Sequence, residues 1–302
     1  MPKTLISIVG PTAIGKTELS IFLAEKLQTE ILSADSRQFY KEMHIGTAKP
    51  DAEELAAAPH HFIGNLSAEQ DYSAGQFEKD ALDKLEELFQ KHDTIIAIGG
   101  SGLYLKALWE GLDDFPEIPK SLRAELTAKY EAEGLEALAE QLKTLDPEFY
   151  KSAEIRNPQR VIRALEVTLH SGQPFSYFKK QKAQNRDFRV LKIGLQMERE
   201  ALYNRINTRV DKMLEAGLEE EARALYPKKQ LNALQTVGYQ EFFDYFDGAI
   251  SREKAIELIK RNSRRYAKRQ ITWFRKVEDI HWFSPAEKKQ IFAFVSDQIA
   301  QV

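Results

Sequence analysis

The chain has 302 residues, 43% of them hydrophobic, with 43 Lys+Arg against 46 Asp+Glu and no cysteine. This is the composition of one or two folded domains, and it excludes disordered, collagen-like, disulfide-stapled, Cys-zinc, iron–sulfur and thiol-nucleophile proteins. The formal net charge of −3 hides an uneven distribution: eight of the 43 basic residues and no acidic one lie between Lys260 and Lys276, which leaves 35 against 46 elsewhere.

Met1-Pro2-Lys3 leads into the apolar run Leu5 to Val9, which Gly10-Pro11 ends too early for a signal peptide or a membrane span. A cytoplasmic protein with no membrane contact is expected. Glu30 to Ala34 and Thr94 to Ile98 are two more apolar runs, each closed by small or polar residues, and continuous runs of this kind suit strands buried on both faces of a parallel sheet. Helical periods lie between them, at Lys16 to Leu27 and Ser73 to Gln90. After the breaker Asp113 to Pro119, the stretch from Ser121 to Phe188 is charged, helical in period and poor in strand signals. Val190 to Leu195 then reads as a returning strand, followed by helices from Arg199 to Ala216 and from Ser251 to about Trp273.

Gly10-Pro11-Thr12-Ala13-Ile14-Gly15-Lys16-Thr17 fits G-x-x-x-x-G-K-[ST] between a strand and a helix, the context the motif requires. Loop N–H groups and the helix N-terminus can surround a diphosphate, Lys16 can reach its terminal oxygens, and the Thr17 hydroxyl can ligate Mg²⁺. The loop fixes a charge, since nucleotides and other diphosphate esters present the same oxygens. The expected fold is α/β, a P-loop NTPase-like core with a parallel sheet flanked by helices, plus a helical insertion domain. Residues 1–113 and 189–302 form the core, the second part carrying the basic C-terminal helices, and 114–188 form the insertion. Sites belong at the carboxyl ends of the strands.

Asp35 ends the second strand run, where a carboxylate beside a diphosphate could bind Mg²⁺ or accept a proton; capping of the next turn is the competing role. Gly99-Gly100-Ser101-Gly102 ends the third run and suits either a binding loop or a tight packing turn. Arg205 and Arg209, one helical turn apart, share a face that could clamp a leaving diphosphate, although a solvated face explains them equally well in isolation. In the basic segment Ile259, Tyr266, Trp273 and Phe274 can form the core stripe, leaving the cations for a polyanion surface. His60-His61 lacks a third ligand at metal spacing and reads as local packing or a turn. No Ser-His-Asp order is evident.

Together, Gly10 to Thr17, Asp35-Ser36-Arg37-Gln38-x-Tyr40, Ile45-Gly46-Thr47-Ala48-Lys49-Pro50, Gly99 to Tyr104, Asn157-Pro158-Gln159-Arg160-Val161-x-Arg163-Ala164-Leu165-Glu166, Val237-Gly238-Tyr239 and Lys268-Arg269-Gln270-x-Thr272-Trp273-Phe274-Arg275 closely resemble, in order, the tRNA dimethylallyltransferases, also called tRNA isopentenyltransferases. The resemblance implies a monomer that binds a tRNA anticodon arm and, with Mg²⁺, moves a dimethylallyl group from dimethylallyl diphosphate to N6 of the adenine at position 37. It implies that Gly10, Pro11, Thr12, Ala13, Ile14, Gly15, Lys16 and Thr17 hold the donor with Arg209, and that Thr17 meets the metal. Asp35 would be the general base and Ser101 a hydroxyl near both substrates. Asp35, Ser36, Arg37, Gln38, Ser101, Arg123, Gln159, Arg160, Val161, Ile162, Arg163, Lys268, Arg269, Gln270 and Arg275 would contact tRNA. Two positions depart from the family pattern: Ser101 stands where Thr is common, keeping the hydroxyl but freer at χ1, and Ile14 stands where a small residue is usual.

The implied chemistry agrees with the residue types. The N6 lone pair is delocalised into the ring, so the reaction needs a strongly stabilised leaving group and a base for the N6 proton. It also needs the adenine out of its stack, which an insertion closing over the anticodon arm could enforce. A small-molecule kinase would share the phosphate loop and leave the basic helix idle; an ATP-hydrolysing RNA switch would use that helix and leave Asp35 and the glycine loop unexplained.

Overall fold

The computed structural model describes residues 3–152, 155–179 and 184–301. Met1-Pro2, Val302, and residues 153–154 and 180–183 of the expected insertion, lie outside the described residues. In chain order the elements are β1 (Thr4–Val9), α1 (Lys16–Leu27), β2 (Ile31–Ser33), α2 (Ala52–Ala57), β3 (His60–His61), α3 (Ala74–Phe89), β4 (Thr94–Gly99), α4 (Gly102–Glu110), α5 (Lys120–Leu145), α6 (Pro147–Ser152), α7 (Pro158–Ser171), α8 (Phe175–Phe178), β5 (Arg189–Leu195), α9 (Arg199–Glu215), α10 (Leu218–Leu225), α11 (Gln240–Phe246), α12 (Arg252–Phe274), β6 (Ile280–Phe283) and α13 (Lys288–Ala300). Two compact units result: Met1–Glu110 with Asn185–Val302, and Gly111–Gln184.

The first unit holds a six-stranded sheet of order β3-β2-β4-β1-β5-β6, in which every pairing is parallel. All six residues of β1 and of β4 are buried, because successive side chains point to opposite faces and helices cover both. Ile6 and Ile8 enter a layer with Leu19, Leu23, Leu202 and Ile291, while Leu5 and Val9 enter the other with Phe77, Leu85 and Leu105. Since all strands run one way, the turns after β1, β2 and β4 emerge on one edge of the sheet.

Two strands go beyond the sequence reading. β6 pairs with β5 from Ile280 to Phe283, and His60-His61, expected as local packing or a turn, pairs with Ile31-Leu32 as an edge strand of two residues. Both are too short to carry a readable period. Helix ends follow local chemistry: Ser73 and Ser251 cap α3 and α12 by accepting the Gln76 and Lys254 N–H groups.

In the second unit α5 breaks at Gly134, whose φ of 82° is left-handed. Asn157 caps α7, with Pro158 in its first turn. Leu126, Leu138, Leu142, Phe149, Leu165 and Phe175 form this unit's core. No helix among the described residues is long and apolar enough to cross a membrane.

Candidate active site

The glycine loop after β1 turns tightly against the sheet. Gly10 has φ 148°, and a Cβ there would lie 3.0 Å from the Leu195 carbonyl; Gly15, at φ 106°, caps α1. The loop directs Ile14 into the core, where it is 1% exposed, so at that position the backbone is what can face a ligand. Lys16 Nζ donates to the Gly10 and Pro11 carbonyls at 3.0 and 2.9 Å. Both arginines of α9 turn to the same loop: Arg205 Nε donates to Ala13 O at 3.0 Å, and an Arg209 guanidinium nitrogen to Thr12 Oγ1 at 3.3 Å. Arg209 is half-buried there, while Arg205 stays exposed as it makes its loop contact.

Loop, arginines and Asp35 line one cavity of about 870 Å³ in the first unit. Burial pulls the Lys16 ammonium down to about 8, with Asp35 opposing the shift and Arg209 adding to it. Burial also lowers the Arg209 guanidinium from its ordinary value, against the pull of Asp35 and Glu54. Two part-buried cations, opposed by the Asp35 and Glu54 carboxylates, favour an anionic ligand, which would supply further counter-charge.

The Asp35 carboxylate closes its turn, its Oδ1 accepting the Arg37 N–H at 3.0 Å, and is still placed on the cavity wall. Ser101 Oγ accepts the Ser36 N–H at 3.1 Å and donates to Ser36 Oγ at 3.2 Å, tying the turn after β4 to the turn after β2. The glycines of the β4 turn are packing glycines. A Cβ on Gly100 would meet Gln270 at 2.2 Å, one on Gly102 would meet the Trp273 ring at 2.3 Å, and one on Gly99 would meet the Ala34 carbonyl at 2.7 Å. The turn is a seat for α12.

That seat revises the reading of Gln270. It is 6% exposed, its Oε1 accepts the Thr12 N–H at 2.8 Å and its Nε2 donates to Gly100 O at 3.0 Å, so it braces the phosphate loop against the β4 turn and meets the cavity rather than the outer cationic face. Val161 and Ile162 are likewise buried in the second unit's core, which removes their side chains from the expected tRNA surface. In the same unit Arg123 and Arg163 both pair with Glu166, which is 2% exposed, while Gln159 and Arg160 are exposed. Arg37 donates to the Asn232 and Ala233 carbonyls, and Gln38 to those of Thr47 and Ala48. Of the basic segment, Lys260 pairs with Asp211 and Arg264 with Asn207 on α9. Arg265, Lys268, Arg269, Arg275 and Lys276 are exposed, and those within α12 fall on one face at helical spacing.

Sequence reasoning missed Glu221. Its carboxylate accepts the N–H groups of His44, Ile45 and Gly46, each at 2.9 Å, and the Tyr239 hydroxyl at 2.6 Å. It thereby holds the Gly46-Thr47-Ala48 stretch that lines the cavity. Tyr239 packs so closely on Gly46 that a Cβ there would sit 2.5 Å from its ring, which accounts for both small and aromatic residues in those motifs. Within Glu219-Glu220-Glu221, nothing in the sequence separates this carboxylate from its neighbours.

The family model for IPP transferase matches residues 38–277. The chain belongs to the IPP transferase family. Among its relatives, the tRNA dimethylallyltransferase of Christiangramia forsetii is 55% identical over 300 residues, 99% of each chain. That of Flavobacterium johnsoniae is 52% identical over 98% of each. Among solved structures, the full-length tRNA isopentenylpyrophosphate transferase of Bacillus halodurans superposes with a TM-score of 0.73 at 38% identity, covering 100% of this chain and 98% of that one. A eukaryotic dimethylallyltransferase acting on tRNA gives a TM-score of 0.84 at 27% identity, covering 99% of this chain and 80% of that one.

Proposed function

We propose that this IPP transferase moves a dimethylallyl group from dimethylallyl diphosphate to N6 of the adenine at position 37 of tRNA. The observation that carries the reading is the shared cavity: Asp35 faces Lys16 and Arg209 across a space large enough for a donor and an entering base. Loop N–H groups, Lys16 and Arg209 hold the diphosphate and stabilise it as it leaves, with Arg205 fixing the loop at Ala13. As N6 bonds to C1 of the prenyl group, the C1–O bond breaks, its electron pair goes to the diphosphate, and Asp35 takes the N6 proton.

No cluster of three or more His, Asp or Glu side chains suited to a metal occurs among the described residues. Mg²⁺ needs none, because it is commonly held by one or two protein oxygens, waters and substrate phosphates. The Thr17 hydroxyl, at the start of α1 and on the cavity wall, fits that donor set. When bound there, the ion would add positive charge beside the departing diphosphate.

The exposed cations of α12 are the proposed tRNA surface of the first unit, with Arg123, Gln159, Arg160 and Arg163 that of the second, and the tRNA substrate puts the work of this monomer in the cytoplasm. Reversing charge at Arg265 and Lys268 (R265E/K268E) is expected to weaken tRNA binding and to flatten its salt dependence by roughly 0.7 to 0.9 per lost phosphate contact. An unaltered slope in a binding titration would return this face to ordinary solvation. The reaction itself is tested by incubating the protein with unmodified tRNA, Mg²⁺ and labelled dimethylallyl diphosphate. Label on adenine N6 is the expected result, and ATP turnover with no label on RNA would overturn it.

A further inference from the structure

The turn after β2, which carries Asp35, is tied to a second stretch of backbone on the same cavity wall. Asp35 O accepts the Gln38 N–H at 3.2 Å. The Gln38 side chain then bridges outward: its Oε1 accepts the Ser33 hydroxyl at 3.3 Å, and its Nε2 donates to the Thr47 and Ala48 carbonyls at 3.2 and 3.0 Å. Ser33, Gln38, Gly46, Thr47 and Ala48 line the cavity together with Asp35. Ala48 has a left-handed φ of 47°, a conformation that a residue with a Cβ keeps only where its surroundings impose it.

Both this stretch and the Asp35 turn are gripped from one other part of the first unit. Glu221 on α10 is not itself on the cavity wall, yet both its carboxylate oxygens are committed to the residues that lead into Ala48. Oε2 accepts the His44 and Ile45 N–H groups and Oε1 the Gly46 N–H, each at 2.9 Å, and the Tyr239 hydroxyl donates to Oε1 at 2.6 Å. Farther along, the Asn232 and Ala233 carbonyls accept the Arg37 guanidinium at 2.9 and 3.0 Å, and the Arg37 N–H closes the Asp35 turn.

We propose that Glu221 is a positioning residue for the proton transfer: by fixing residues 44–48 it fixes the carbonyls that hold Gln38, and through Gln38 the turn that aims Asp35 at the acceptor amine. The proposal rests on the reading of Asp35 as the base. An ionised carboxylate suits the position because it only accepts, and four donors converge on it; a glutamine would turn its own NH₂ toward some of them. These links run from α10 to the β2 turn without passing through the phosphate loop, so the donor site lies outside them.

Single-turnover rate, donor affinity and tRNA affinity are measured for the full-length E221Q, Y239F and D35N proteins and for the doubles E221Q/D35N and Y239F/D35N. E221Q is expected to slow the transfer by roughly 10- to 100-fold, the cost of a displaced group at the reacting centre, with both affinities kept. Y239F keeps the ring that packs on Gly46 and removes one hydrogen bond, so its loss is expected to be of the same kind and only about threefold. In the Asp35→Asn background both losses are expected to vanish, because a base that is gone cannot be misplaced, whereas a general loosening of the wall would persist there. Parental rates in E221Q and Y239F, a loss that persists undiminished beside Asp35→Asn, or a loss that appears as weakened donor or tRNA binding would overturn the role of Glu221 and leave that of Asp35 standing. A parental rate in D35N itself would overturn the reading of Asp35 as the base, and the proposal with it. Y239F and its double carry the same test alone if E221Q does not fold.

Discussion

Asp35→Asn is expected to bind tRNA as well as the parent protein and to turn over at least ~10²-fold more slowly, the usual scale of a lost general base. The substitution is selective because an asparagine oxygen can still accept the Arg37 N–H that Asp35 Oδ1 accepts at 3.0 Å, so the turn after β2 survives and only the charge and its proton affinity are removed. A second consequence follows from the shared cavity. Asp35 supports the charged form of Lys16 against burial and Arg209, so its neutralisation lets the ammonium lose its proton at still lower pH. The pH above which donor affinity declines is therefore expected to move down in the variant. Near-normal single-turnover rates would remove Asp35 as the base, and an unmoved pH limb would show that it and Lys16 do not share a field.

Features written in neighbouring residues were legible. The phosphate loop needs a strand, two glycines and a helix in immediate succession, and α1 begins at Lys16 and ends at Leu27 as the period predicts. The helix starts read at Ser73 and Ser251 are equally local, and the structure makes each serine the cap. What stayed open depended on partners far along the chain. Arg205 and Arg209 differ from a solvated pair only because α9 runs past a loop some 190 residues away in sequence, with separations of 192 and 197. Gln270 sits within a run of cations and resembles its exposed neighbours until α12 is docked, when its spacing turns it inward to Thr12 and Gly100. The same docking explains why Gly100 and Gly102 must be small, whereas Gly99 is crowded by the Ala34 carbonyl and also lines the cavity. Glu221 is the extreme case, because three amide donors converge on it only after residues 44–46 fold back over α10.

Lys16→Ala is expected to raise the donor KM by roughly ten- to a hundredfold, which corresponds to about 1.5–3 kcal/mol for a hydrogen bond to a charged partner, and to abolish a distinctive pH dependence. In the absence of donor the ammonium is satisfied by Gly10 O and Pro11 O, yet burial still brings it down to about 8. The charged form is the one that attracts a diphosphate, and the bound diphosphate favours that form in return, so the value in the complex lies above the value in the free protein. Donor affinity should hence be flat with respect to this group below pH 8. Above pH 8 binding must take up a proton, and affinity should fall by about tenfold per pH unit until the value in the complex is reached. Because the ligand titrates as well, the informative quantity is the ratio of parent to Lys16→Ala affinities across pH, from which the ligand's own ionisation cancels. That ratio should be largest below pH 8 and shrink above it. A ratio independent of pH would mean that the amine keeps its proton throughout, and a ratio of one would take Lys16 away from the diphosphate and leave the loop amides with Arg209 to hold the donor.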